Sequence, residues 1–174
     1  MSLAKSIDHT LLDVSASEAD IRRLCQEAVR YQFAAVCVQP QWVALCKENL
    51  NGDVAIATVV GFPDGACSAM IKTADAKAAV RAGASEIDMV IDYRALKERS
   101  YRQVFMDIRA VVESAAPALV KVILETGVLS HDAKVSGCVL AKAAGAAFVK
   151  SSTGLIKPGA SMPCRSTHSM SIDT

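Results

Sequence analysis

The sequence predicts an α/β fold built from parallel βα units, and three observations support it. Short apolar runs alternate strictly with amphipathic helices along the 174 residues. The core is aliphatic, since 52% of the residues are hydrophobic although only four Phe, three Tyr and one Trp are present. Two helix-to-strand joints, 82–88 and 144–150, are near copies in which a helix ends at a glycine and a charged residue follows five positions later.

Apolar runs and capping signals predict the elements in chain order. Six strands are expected, at about residues 7–11, 33–38, 54–60, 86–91 and 118–124 and in the run that ends at Lys150. Five helices are expected between them, at about 17–31, 40–50, 69–82 and 98–115 and from the cap Ser130 to Gly145. Ser15 and Glu18 form the capping box expected to start the first helix, and Pro40 opens the second.

Charge and composition exclude several classes of partner. Lys plus Arg number 19 against 18 Asp plus Glu, so no basic excess attracts nucleic acid or an anionic membrane. The first twelve residues lack the pattern of a signal peptide, and no run of 18 apolar residues occurs, which predicts a cytoplasmic protein. The six cysteines lack metal-ligand spacing and are expected to be reduced and mostly buried, with no metal bound.

Counting from each helix end places one chemically distinctive residue at the same position in four strands. These residues are Cys37, Asp88, Lys121 and Lys150. In a closed βα barrel, alternate strands contribute side chains to the same interior layer. The second, fourth and sixth strands would therefore bring Cys37, Asp88 and Lys150 together, with Lys121 in an adjoining layer.

This set of residues is suited to carbonyl chemistry. A lysine among apolar neighbours and beside a second cation loses proton affinity, and its neutral amine can form a Schiff base. We expect this of Lys150, with Lys121 nearby and Asp88 moving protons. The structural alternative is that Asp88 merely forms an ion pair with one of the lysines, or that the lysines protrude at strand ends.

Six motifs along residues 1–155 carry a family resemblance. They are Ile-Asp-His-Thr-Leu-Leu (7–12), Ala-Val-Cys-Val-Gln-Pro (35–40), Val-Val-Gly-Phe-Pro (59–63), Glu-Ile-Asp-Met-Val-Ile (86–91), Leu-Val-Lys-Val-Ile-Leu-Glu-Thr (119–126) and Phe-Val-Lys-Ser-Ser-Thr-Gly (148–154). In this order and spacing they resemble the strand motifs of the deoxyribose-phosphate aldolases, a family of class I aldolases.

The resemblance implies a (β/α)8 TIM barrel that reversibly cleaves 2-deoxyribose 5-phosphate to acetaldehyde and glyceraldehyde 3-phosphate. Its partners would be this sugar phosphate and the aldehydes, without cofactor or metal, and a homo-oligomer is compatible with it. By the same resemblance, Lys150 would form the Schiff base and Asp88 would donate and accept protons. The implied substrate-binding residues are Lys121, Cys37 and Asp8 along the pocket, and Thr153 with Gly154 at the start of a phosphate loop.

The end of the sequence departs from the family pattern. Members of the family continue with a seventh strand bearing a Lys-Ala-Ser-Gly-Gly motif and an eighth with a phosphate-binding Gly-Ser loop. Residues 155–174 instead contain two prolines and several serines without helical or strand periodicity. We expect an incomplete barrel over 1–154 with a disordered tail, from a truncated or frameshifted product. Two alternatives remain: an impaired aldolase fragment stabilised by a partner chain, or another sugar-phosphate enzyme.

Overall fold

The fold is a sheet whose first six strands are parallel and follow one another in chain order. The computed structural model describes residues 3–156 and the backbone of residues 170 and 171. The strands are β1 (Asp8–Leu11), β2 (Ala35–Val38), β3 (Ala55–Val60), β4 (Glu86–Val90), β5 (Leu119–Ile123), β6 (Phe148–Lys150) and β7 (Met170–Ser171). The helices are α1 (Glu18–Tyr31), α2 (Val43–Asn49), α3 (Ala69–Ala82), α4 (Tyr93–Lys97), α5 (Tyr101–Ala115) and α6 (His131–Ala143).

The six predicted strands and five predicted helices are confirmed, with two local corrections. The capping box predicted at Ser15 and Glu18 is wrong by two residues. Ser17 caps α1 instead, since its hydroxyl accepts from the Asp20 amide and the Asp20 carboxylate accepts from the Ser17 amide. The predicted helix over 98–115 begins later, at α5, because Arg99 adopts a left-handed φ of 59° and separates it from α4.

The predicted joints adopt the backbone geometry that the glycines suggested. Gly83 and Gly145 have φ values of 114° and 91°. Gln32, which stands at the equivalent position after α1, also lies in the left-handed region with φ 56°. Ala116 does not, since its φ is −53°. The repeated joint is therefore a property of three of the four helix ends.

The sheet is strongly curved. In a flat sheet β1 and β5 would lie about 19 Å apart, at about 4.8 Å for each strand spacing. Asp8 on β1 nevertheless lies 2.8 Å from Lys121 on β5, atom Oδ2 to atom Nζ. The concave face therefore brings distant strands together, as in part of a barrel. Within the described residues, β1 and β7 are the two edges of the sheet.

The two faces of the sheet are packed differently. The convex face and the helices enclose the main aliphatic core, while the concave face has a small apolar cluster of Cys37, Ala57 and Val59 with Leu12 and Phe62 against it. The concave face can therefore hold polar groups beside this cluster. Among the described residues, no helix has the length and apolarity needed to cross a membrane.

The predicted irregular tail can be compared with the structure only in part. Its residues 157–169 and 172–174 lie outside the described residues, so the expected disorder is not tested there. The short strand β7 was not predicted. It pairs antiparallel with β6, with Phe148 opposite Ser171 and Val149 opposite Met170.

Candidate active site

Asp88 is the centre of the concave face. Its Oδ2 atom lies 2.5 Å from Lys150 Nζ and accepts a weak hydrogen bond from Cys37 Sγ at 3.7 Å. The carboxylate is buried, with 1% of Asp88 exposed. The predicted meeting of Cys37, Asp88 and Lys150 is therefore confirmed. It follows from the period-two alternation of the strands, which points these three residues to the same face.

Lys121 lies one layer below this group, as the strand count predicted. Its Nζ lies 2.8 Å from Asp8 Oδ2, 2.5 Å from Glu86 Oε2 and 3.9 Å from Asp88 Oδ1. Asp8 Oδ2 also lies 3.3 Å from Lys150 Nζ, so it bridges the two lysines. The concave face therefore carries one network of two ammonium groups and three carboxylates, in which the carboxylates outnumber the cations.

This excess of carboxylates keeps Lys150 charged. Burial, the largest single effect, opposes the ammonium form, but the charge and hydrogen bond of Asp88, together with Asp8 and Cys37, outweigh it, so the pKa of Lys150 is raised. Burial likewise opposes the charge of Lys121, but Asp88, Asp8 and Glu86 together raise its pKa. The expectation that Lys150 would lose proton affinity is wrong, because the nearby carboxylates raise its pKa.

The acidic and thiol groups respond to the same network. Burial works against ionisation of Asp8, but the charge and hydrogen bond of Lys121, reinforced by Lys150, hold the pKa of this carboxyl below its usual value. Burial raises the pKa of the Cys37 thiol, and the charge of Asp88 raises it further. Cys37 is thus a neutral hydrogen-bond donor to Asp88 and no thiolate nucleophile.

A cavity of about 280 Å³ opens above the network at the carboxyl ends of the strands. Its apolar wall is formed by Leu12, Val59, Phe62 and Ile123. Its polar wall contains Asp8, Thr10, Cys37, Asp88, Lys150 and the segment 151–154. Six of the seven predicted site residues therefore line the cavity, whereas Lys121 lies beneath it and is 2% exposed.

The residues that the sequence reasoning missed differ in how they could have been found. Glu86 stands two positions before Asp88, so strand alternation alone places it on the same face. Phe62 lies in the 61–65 turn, whose contact with the cavity depends on the curvature of the sheet. Glu125 accepts hydrogen bonds from the Thr153 amide and hydroxyl, and only the left-handed turn after β5 directs it there. Within the described residues, no group of three or more His, Cys, Asp or Glu side chains is arranged to hold a metal.

Comparison with known proteins identifies the family. The family model described as DeoC/LacD family aldolase matches residues 3–170. The chain belongs to this aldolase family. Deoxyribose-phosphate aldolase of Streptococcus sanguinis is 50% identical over 163 residues, which cover 93% of this chain and 74% of that protein. Its counterpart in Enterococcus faecalis is 48% identical over 162 residues, which cover 92% and 74%. The family predicted from the strand motifs is confirmed.

Solved structures confirm the predicted TIM-barrel fold class. A crystal structure from Coccidioides immitis assigned as a deoxyribose-phosphate aldolase superposes with a TM-score of 0.89 at 48% identity, covering 91% of this chain and 63% of that chain. The tetrameric deoxyribose phosphate aldolase of Aeropyrum pernix gives 0.78 at 31% identity, covering 88% and 65%. This aldolase chain thus spans about three quarters of the two curated relatives above and less than two thirds of each of these two structures.

Proposed function

We propose that this chain acts as a deoxyribose-phosphate aldolase that reversibly cleaves 2-deoxyribose 5-phosphate to acetaldehyde and glyceraldehyde 3-phosphate through a Schiff base on Lys150. The observation that carries the proposal is the 2.5 Å contact between Lys150 Nζ and Asp88 Oδ2 at the wall of the cavity. Membership of the aldolase family supports the reaction class. The names of the relatives support the substrate.

The contact supplies a route for the proton that must leave Lys150 first. In the resting site Lys150 is an ammonium ion, which has no lone pair for attack. Transfer of this proton to Asp88 gives the neutral amine, which adds to the aldehyde carbonyl. Asp88 returns the proton to the hydroxyl group of this adduct, and loss of water then gives the protonated imine. Asp88 lies beside the nitrogen of Lys150, so the same carboxylate can exchange protons through water during the imine–enamine interconversion.

The remaining network residues orient these two groups. Asp8 is the second carboxylate in contact with Lys150, and Lys121 neutralises Asp8 and Glu86 beneath them. Cys37 donates a weak hydrogen bond to the same oxygen of Asp88 that Lys150 contacts. The enamine then attacks the second aldehyde, and the new hydroxyl and the phosphate would lie toward the open side of the cavity, where Ser151 and Ser152 provide hydroxyl groups.

Borohydride trapping tests the proposal directly. Incubation with acetaldehyde and borohydride should add an ethyl group to Lys150, detected by peptide mass spectrometry. Lys150→Arg keeps a positive charge beside Asp88 but cannot form the imine, so the adduct should disappear. Lys97→Arg removes an exposed lysine on α4 and should leave the adduct unchanged. An unlabelled wild-type chain, under conditions that label a full-length relative, would refute the proposal.

The raised pKa of Lys150 favours a second candidate, a catalytically impaired aldolase. The carboxylates stabilise the charged lysine, and Lys121 is the other cation of this network among the described residues. Deprotonation then limits the rate at neutral pH. The same experiment separates the two candidates. An impaired enzyme should form the adduct slowly and accelerate as the pH rises toward the pKa of Lys150, whereas a competent one should form it rapidly near neutral pH.

A further inference from the structure

The segment that follows Lys150, residues 150–154, is joined to the end of β5 at successive positions. The Leu124 amide donates to the Lys150 carbonyl oxygen at 3.0 Å, and the Thr126 amide donates to the Ser151 carbonyl oxygen at 2.7 Å. The first bond belongs to the last pair of the β5–β6 ladder, Ile123 with Lys150, and the second joins the two chains just beyond it. The residue between the two donors is Glu125.

Glu125 has an unusual backbone and an unusual environment. Its φ and ψ are 55° and 60°, a left-handed conformation that costs a non-glycine residue on the order of 1 kcal/mol. Its side chain is completely buried, with 0% exposed. No lysine, arginine or histidine of the described part of the chain forms an ion pair with it. Both features are unfavourable unless something else in the structure requires them.

The side-chain contacts of Glu125 explain why this arrangement persists. Its Oε2 atom accepts from the Thr153 amide at 3.0 Å and from the Thr153 hydroxyl at 2.6 Å. The other oxygen, Oε1, is buried and has no hydrogen-bond partner within residues 3–156. The carboxylate is therefore held by Thr153 alone among these residues, and the left-handed turn directs it there.

These contacts also change the role expected for Thr153. Its hydroxyl and amide both donate to an anion, so neither is free to donate to a phosphate, and the nearby carboxylate would repel one. The Thr153 hydroxyl oxygen additionally accepts from the Leu155 amide at 3.2 Å. Thr153 thus links the Glu125 side chain, which follows β5, to the backbone at Leu155, which follows β6.

We propose that Glu125 is a positioning residue for Lys150, which holds the 150–154 segment against the cavity by binding Thr153. The part of this inference that concerns the reaction rests on the proposed aldolase function. Asp88 and Asp8 orient the amine of Lys150, but the place from which this side chain starts is set by the backbone at the end of β6. Small misplacements of a reacting group cost about 100-fold in rate. The contact between Glu125 and Thr153, called the clamp below, therefore affects the reaction by keeping this segment in place.

Hydrogen exchange tests the clamp without reference to activity. Glu125→Ala should accelerate exchange of the Thr153 and Leu155 amides by about tenfold or more, because local opening is then no longer opposed. Glu125→Gln keeps one acceptor and should lie between wild type and Ala. The matched control is Glu98→Gln, an exposed carboxylate after α4. Unchanged exchange over 150–156 in Glu125→Ala would overturn the clamp.

Thr153 provides a second pair of variants in case Glu125→Ala does not fold. Thr153→Val removes the hydroxyl donor and keeps the shape of the side chain, while Thr153→Ser keeps the donor. Exchange over 150–156 should increase in the valine variant and return toward wild type in the serine variant. Equal exchange in the two variants would contradict a role for the 2.6 Å bond.

Trapping at Lys150 tests the consequence for the reaction. Glu125→Ala should slow the ethyl adduct by about 10- to 100-fold, while the acetaldehyde concentration that gives half the maximal rate changes much less. A chain in which exchange increases but trapping is as fast as in wild type would overturn the positioning role. If wild type forms no adduct, the aldolase proposal fails, and the exchange measurements alone decide whether Glu125 clamps the segment.

Discussion

Two buried lysine–carboxylate pairs have the same separation but different surroundings. Lys150 Nζ lies 2.5 Å from Asp88 Oδ2 on the concave face, and Lys72 Nζ lies 2.5 Å from Asp107 Oδ2 between α3 and α5. The side chain of Lys72 is 0% exposed, and its ammonium also donates to the Val90 carbonyl at 3.3 Å. The side chain of Lys150 is 18% exposed and lines the cavity.

The comparison shows that a short ion pair does not by itself indicate function. Lys72 is sealed beneath Gly61, where an added Cβ would meet its Cε, so no carbonyl compound can reach the amine. Lys150 has a cavity beside it and a carboxylate that it shares with Cys37. Access to a cavity distinguishes a reactive lysine from a structural one.

The largest expected effect is the loss of stability when the sealed pair is broken. Lys72→Met leaves Asp107 buried without its cation, which should lower the free energy of unfolding by about 3–5 kcal/mol. Lys150→Met should cost less, about 1–3 kcal/mol, because Lys121 remains 3.9 Å from Asp88. Urea denaturation of the two variants measures the difference.

A double variant provides the control for this stability effect. Lys72→Met combined with Asp107→Leu removes both charges from the space between α3 and α5, and it should recover most of the lost stability. The folded Lys72→Met protein should still form the borohydride-trapped adduct at Lys150. If breaking either pair destabilised the chain equally, the distinction between a sealed pair and an accessible network would be lost.

The sequence predicted the inner network well because strand alternation is a strong constraint. A side chain on a strand can face only one of two sides, so counting from Gly83 and Gly145 was enough to bring Asp88 and Lys150 together. The charge state was not predictable in this way. It depends on Asp8, which reaches both lysines only because the sheet curves.

The sealed pair shows the limit of the same reasoning. Lys72 and Asp107 lie on helices and are separated by 35 residues, and no local pattern relates them. Their contact depends on how α3 packs against α5. The same is true of Glu125, because a left-handed residue after β5 has no composition signal when it is not a glycine. Patterns within an element were therefore predictable, and packing between elements was not.

A smaller effect is expected from removing the carboxylate that bridges both lysines. Asp8→Asn removes one of the negative charges that raise the pKa of Lys150, so this pKa should fall. The pH profile of adduct formation should then move to lower pH, because the neutral amine appears earlier. Borohydride trapping across a pH series measures the midpoint. Asp107→Asn, at the sealed pair, should leave that midpoint unmoved, and an equal displacement in both variants would contradict local control by Asp8.

The smallest expected effect is that Asp8 and Asp107 change the free energy of unfolding in opposite directions as the pH falls. The pKa of folded Asp8 is lowered, so its contribution to stability is present above about pH 3.9, the usual value for an unfolded aspartate, and is lost as the pH falls further. Burial raises the pKa of Asp107, and Lys72 offsets this only in part. Folded Asp107 therefore binds its proton more readily than the unfolded chain does, and it favours folding more as the pH falls from neutral toward about 3.9.

Comparing each Asn variant with wild type by urea denaturation across pH isolates these two carboxyl groups. The stability advantage of wild type over Asp8→Asn should shrink below about pH 4, because protonation removes the charge that the lysines bind. The free energy of unfolding of wild type should instead rise relative to that of Asp107→Asn as the pH falls from neutral to about pH 4. The opposite signs follow from their partners, since Asp8 contacts two ammonium groups while Asp107 contacts one in a sealed site. Differences that changed in the same direction would show that burial, rather than the number of cations, controls both groups.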